Sequence, residues 1–152
     1  MLAITMINTF GVMSANMCLK MIMFSCSKSL GLIKSLTIND VNHYNELNKL
    51  LIKSDVKQKI AKIHKLIMDL EKYELKDCIK MAIEDLHYTI QSINDLLEQC
   101  IELNTNHKQL WLHQYRTLKM DEPLCQLELQ IYLLQIRFDD LYKLMSIIQN
   151  IN

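Results

Sequence analysis

Glycine and proline are nearly missing from this chain of 152 residues: Gly11, Gly31 and Pro123 are the full set. Folds rich in tight turns use many more of both, so their scarcity predicts few, long elements. It also excludes a phosphate-cradling loop, which needs clustered glycines. No Gly-x-Ser-x-Gly turn exists to present a nucleophile. The five cysteines (Cys18, Cys26, Cys78, Cys100, Cys125) contain no Cys-x-x-Cys pair, so neither a zinc site nor a complete disulfide framework is indicated, and free thiols in a reducing compartment fit best. Net charge is absent as well: 17 cationic residues balance 17 anionic ones. Without a basic surplus no nucleic-acid partner is expected.

What is present is a regular apolar pattern. Half of the residues are hydrophobic, and in three stretches they recur in alternating steps of four and three. Val56, Ile60, Ile63, Ile67 and Leu70 form the first run. Ile79, Ile83, Leu86, Ile90, Ile93, Leu97 and Cys100 form the second, and Leu124, Leu127, Ile131, Leu134, Phe138, Leu141, Met145 and Ile148 the third. A 3.5-residue repeat keeps one stripe of a helix against a neighbour over many turns, the packing of helices that cross at about 20°. Leu66, Leu96, Ile101, Leu133 and Leu144 widen the stripes, so each helix is expected to face two neighbours within one chain.

Polar breaks divide the pattern at 37–40, 73–74, 104–106 and 120–123. Pro123 is expected in a first helical turn, where its missing donor costs little. Ser54 or Asp55 is expected to cap the helix after it. Helices are therefore predicted over about 3–36, 40–53 continuing or kinking into 56–73, 76–104, and 107–119 followed by 122–150. The predicted fold is all-α, a single domain over 1–152 with four interrupted arms in an up-down-up-down bundle; an irregular six-helix bundle is the alternative.

The first 19 residues carry no charge, a length near that of a membrane span, but Thr5, Asn8, Thr9, Ser14 and Asn16 interrupt it. A secretory signal would place a basic residue ahead of the apolar run, and none is there. A buried bundle helix is the expectation for this stretch. Removal of the first 19 residues as a secretory signal would leave four cysteines, an even count, and a secreted factor, although no Asn-x-Ser/Thr acceptor site supports secretion.

Catalytic and metal chemistry find few candidates. Glu84-Asp85-Leu86-His87 has the Glu-x-x-His spacing of paired-metal bundles, but no second full motif completes the ligand set. With Leu86 in the apolar stripe, His87 is expected on its half-exposed flank. Asp40-Val41-Asn42-His43 is a poorer echo, and His107 and His113 do not share a helix face. Cys78, at a helix start, lacks a partner that would activate it. No catalytic residue, metal or cofactor is expected, and the protein is read as a non-enzyme.

Binding surfaces are better represented. Trp111, Tyr115 and Arg116 bring together the residue types most enriched at interface hot spots, and are the expected contact site for a protein partner. The methionines crowded into the first 23 residues fit an adaptable apolar surface. Residues 1–80 hold 12 lysines and 7 carboxylates, while 81–152 hold 5 cations and 10 carboxylates. Within the basic half, Lys49, Lys53, Lys57, Lys59, Lys62 and Lys65 are the candidate contacts for anionic lipid. Cys26-Ser27-Lys28-Ser29-Leu30-Gly31-Leu32-Ile33-Lys34-Ser35-Leu36 resembles the end of the first helix in the N-terminal four-helix bundle of mixed-lineage kinase domain-like pseudokinases. That resemblance spans eleven residues and implies a bundle that engages acidic lipids and permeabilises membranes in cell death. The expected function is a cytoplasmic, non-enzymatic protein-interaction bundle, adaptor or regulatory. A membrane-engaging bundle and a secreted four-helix signalling factor are the alternatives.

Overall fold

The computed structural model describes the backbone of residues 14–38, 45–106 and 113–151, and the side chains of 14, 16–36, 46–103 and 121–148. Within them lie five helices and no strand: α1 (Ala15–Ile38), α2 (Asn45–Ser54), α3 (Val56–Leu70), α4 (Asp77–Asn106) and α5 (His113–Ile151). The all-α expectation holds. The described part of the helix expected over 3–36 begins at Ala15, where the Ser14 hydroxyl accepts the Met17 amide at 3.3 Å and caps the first turn; residues 3–13 of that expectation lie outside the described residues.

Two boundaries differ from expectation. Neither Ser54 nor Asp55 caps α3 through its side chain; Ser54 Oγ bonds back to the Leu51 carbonyl at 3.3 Å, and Asp55 makes no side-chain cap bond. Asp55 adopts a left-handed conformation with φ 53°, and that single residue kinks α2 into α3. Pro123 does not start a helix; α5 runs through it without interruption. The cost is one lost bond to the Lys119 carbonyl. A long helix can carry that cost through the packing of the segment that follows, where Leu124, Leu127, Ile131 and Leu134 join the core.

The three apolar runs are the core. Val56, Ile60, Ile63, Ile67 and Leu70 are all buried on α3, as are Ile79, Ile83, Leu86, Ile90, Ile93, Leu97 and Cys100 on α4. On α5 the run is looser: Leu127, Ile131, Leu134 and Leu141 are buried, while Leu124, Phe138, Met145 and Ile148 are half-buried against them. Leu66, Leu96 and Ile101 flank the core as the widened stripes require. α4 is the central element, packed along α5 on one side and α1 on the other, and α1 also packs on α3. α1 adds Cys18, Leu19, Ile22, Cys26, Ile33 and Leu36 to the same cluster or its edge. No described helix is long and apolar enough to cross a membrane.

Candidate functional site

Polar side chains enter the α1–α4 contact at one level of the bundle. His87 and Asn94 are seven residues apart on α4, so they share a face; Ser25 and Ser29 are one turn apart on α1 and meet them. All four are buried. Ser25 Oγ and His87 Nε2 lie 3.0 Å apart. The Ser29 hydroxyl lies within hydrogen-bond reach of two acceptors, the Ser25 carbonyl at 3.0 Å and Asn94 Oδ1, which share its single proton. Asn94 Nδ2 donates to the Ser25 carbonyl at 3.1 Å. Because 25 pairs with 87 and 29 with 94, α1 and α4 run parallel. Nearer the surface, Lys28 and Glu98 form an exposed ion pair at 2.8 Å in the same direction.

His87 is thus a correction to the sequence expectation: it is 2% exposed, not half-exposed. The reason is that Ser25, a small residue of α1, leaves space beside the Leu86 stripe that the ring fills. Burial pushes the His87 pKa below the ordinary imidazole value and so favours the neutral ring. A cleft of about 270 Å³ opens outside it, lined by Lys20, Met21, Phe24, Ser25, His87 and Gln91. A hydroxyl beside an imidazole has the parts of an activated nucleophile. Yet the Ser25 amide lies inside α1 and is committed to the helix ladder, so it supplies no oxyanion donor. The pair instead satisfies two buried polar groups.

Glu84, one turn before His87, is only partly covered; burial, and then Asp85 beside it, raise its pKa. Among the described residues no three His, Cys, Asp or Glu side chains converge as a metal site would need. Asp40 and His43 lie outside the described residues, as do the side chains of His107 and His113. A second polar tie joins α4 to α5. The Arg137 guanidinium donates to the Asp85 carbonyl, at 3.3 Å, and to the Thr89 hydroxyl.

The lysine run falls on two helices. Lys49 and Lys53 stand on α2, with Lys49 bound to Glu46 at 3.2 Å, and the kink at Asp55 separates them from the other four on α3. Lys53, Lys57, Lys62 and Lys65 are exposed and Lys59 is partly covered. Trp111 lies outside the described residues. Tyr115 and Arg116 lie in the first two turns of α5, their side chains outside the described ones.

The feature that periodicity in the core runs did not single out is the opposite face of α5. Cys125, Leu129, Tyr132 and Ile136 follow steps of four, three and four and point away from Leu127, Ile131 and Leu134. Leu129 is 49% exposed, Tyr132 64% and Ile136 39%; Cys125 is exposed too, and Ile147 continues the line at 56%. The steps of four and three were visible in the sequence, but they fall between those of the core run and merge with it. Carboxylates border this stripe: Asp121, Glu128 and Asp139 on one side, Glu122 and Asp140 on the other, all exposed. Comparison with known proteins adds no relative: no family model, curated protein or solved structure matches this chain.

Proposed function

We propose that this chain is a non-enzymatic helical bundle that acts by binding another protein, as an adaptor or regulator. The observation that carries the proposal is the exposed apolar stripe Cys125–Leu129–Tyr132–Ile136 on α5, since contiguous exposed apolar residues rimmed by polar ones mark contact surfaces. The bundle is read as four arms (α1, α2 with α3, α4, α5) in up-down-up-down order; the parallel course of α1 and α4, first and third arms, supports that alternation. Trp111, Tyr115 and Arg116 would extend the contact surface toward the start of α5.

A photo-cross-linking amino acid at position 132, in the cells that make the protein, tests the proposal against the same probe at position 57 on α3. Position 132 should give a discrete cross-linked species that Leu129→Glu or Ile136→Glu removes while thermal unfolding stays unchanged. Equal products from both positions would overturn it. Membrane engagement is the second reading, favoured by the exposed Lys53, Lys57, Lys62 and Lys65. Because the apolar stripe of α3 is committed to the core, salt-sensitive binding to anionic vesicles without leakage is expected. Leakage at micromolar protein, abolished by Lys53→Glu, Lys57→Glu and Lys62→Glu together, would favour membrane action instead.

A further inference from the structure

The outer face of α5 carries a charge pattern that selects its partner. At 100° per residue, Cys125, Leu129, Tyr132, Ile136, Lys143 and Ile147 fall within an arc of about 60°. The exposed carboxylates of Asp121, Glu128 and Asp139 follow one margin, and those of Glu122 and Asp140 the other. Among the described side chains of α5, cations do not balance them. Arg137 is turned inward onto the Asp85 carbonyl and Thr89, and Lys143 is a single charge within the stripe itself.

From this pattern, and resting on the protein-binding proposal above, we infer that the face receives an amphipathic helix of another protein whose apolar stripe is flanked by lysine or arginine. Steps of four and three are the spacing by which one helix packs its side chains between those of a second, with flanking charges setting the choice of partner. The apolar residues of the incoming helix would oppose Cys125 to Ile136. Its cations would oppose Glu122, Glu128, Asp139 and Asp140. A second copy of this chain fits less well, because it would set one row of carboxylates against another, and like charges across an interface oppose association.

Cys125 lies on the stripe and Cys78 is exposed on α4, so the two thiols report contact and control in one molecule. The probes are two 21-residue helical peptides with the same apolar heptads, one flanked by lysines and one by glutamates. The lysine peptide should slow alkylation of Cys125 at least about fivefold without slowing Cys78, with protection fading at high salt. The glutamate peptide should not protect. In the Glu128→Lys, Asp139→Lys, Asp140→Lys variant, protection should pass to the glutamate peptide.

Equal protection by both peptides would overturn the charge selection and leave the protein-binding surface standing. Protection of Cys125 that rises with protein concentration, with dimers in sedimentation, would assign the face to a second copy. Protection in the protein alone that deletion of residues 2–13 lifts would assign it to the chain's own N-terminus. No protection by either peptide, with a monomer in sedimentation and Cys125 freely reactive, would overturn the surface itself.

Discussion

His87, Asn94, Ser25 and Ser29 are polar groups inside an apolar contact, and each has a hydrogen bond that offsets its removal from water. His87 gives this contact a pH dependence with a definite sign. The unfolded ring takes up a proton near the ordinary value of about 6.5, whereas the buried ring does so only at lower pH. Stability from the neutral ring is therefore complete above that value and is lost as pH falls below it toward the folded-state pKa. The loss has a slope of at most about 1.4 kcal/mol per pH unit. Denaturant melts of the protein and of His87→Gln between neutral and mildly acidic pH should diverge in this sense; parallel curves would show that the ring is not buried. The thiols make a second prediction. Burial raises Cys18, takes Cys26 to about 12 and Cys100 to about 11, so few thiolates form at these three positions. Cys78 and Cys125 are exposed. A disulfide reagent on the native protein should modify two thiols quickly, and all five only after unfolding.

Helices α1 and α5 each contain a residue that opposes helix formation. Gly31 is an exposed interior position of α1, and a Cβ placed there meets nothing within 4 Å. Gly31→Ala should therefore raise stability by roughly 0.5–1 kcal/mol, through the backbone freedom that glycine loses on folding. Pro123 is the stronger case. In the uninterrupted α5, Pro123→Ala should restore a bond to the Lys119 carbonyl and add about 1–3 kcal/mol in a thermal or urea melt. Were Pro123 in a first turn instead, the substitution would bring no gain. The two variants involve different helices and no shared contacts, so their effects should add.

In the molecule as a whole, stability rests on one core to which all five described helices contribute, α2 through Leu47 and Leu51. Ile90 and Leu134 are completely buried in it, on the two helices with the most extensive contact. Ile90→Asp or Leu134→Asp would place a carboxylate where neither water nor a cation reaches it, at a cost of several kcal/mol. Circular dichroism should show either variant largely unfolded or melting far below the parent. A parent-like melting curve would mean the register of α4 or α5 is wrong. The basic first half and acidic second half meet at Lys28 and Glu98, an exposed pair of little energetic weight. Much of the remaining charge faces outward, lysines on α3 and carboxylates along α5.

Helix type and core register were legible in the residues themselves, because a seven-residue repeat has one geometric solution and Val56 through Leu70 and Ile79 through Cys100 each mark one apolar stripe. Local chemistry was less legible where two answers cost similar energy. Ser54 and Asp55 are good caps in isolation, and Pro123 is a good first-turn residue, but in the structure a left-handed Asp55 joins α2 to α3 and α5 continues through Pro123. Two features were decided only in three dimensions. Whether His87 is wet or dry depends on the size of the residue facing it on α1, sixty-two positions earlier in the chain, and small Ser25 lets the ring in. Whether Leu129, Tyr132 and Ile136 are core or surface depends on how many helices surround α5. An apolar residue carries no record of that number; among the described residues the bundle covers one side of α5 and leaves Leu129, Tyr132 and Ile136 exposed on the other, and from that side the proposed partner follows.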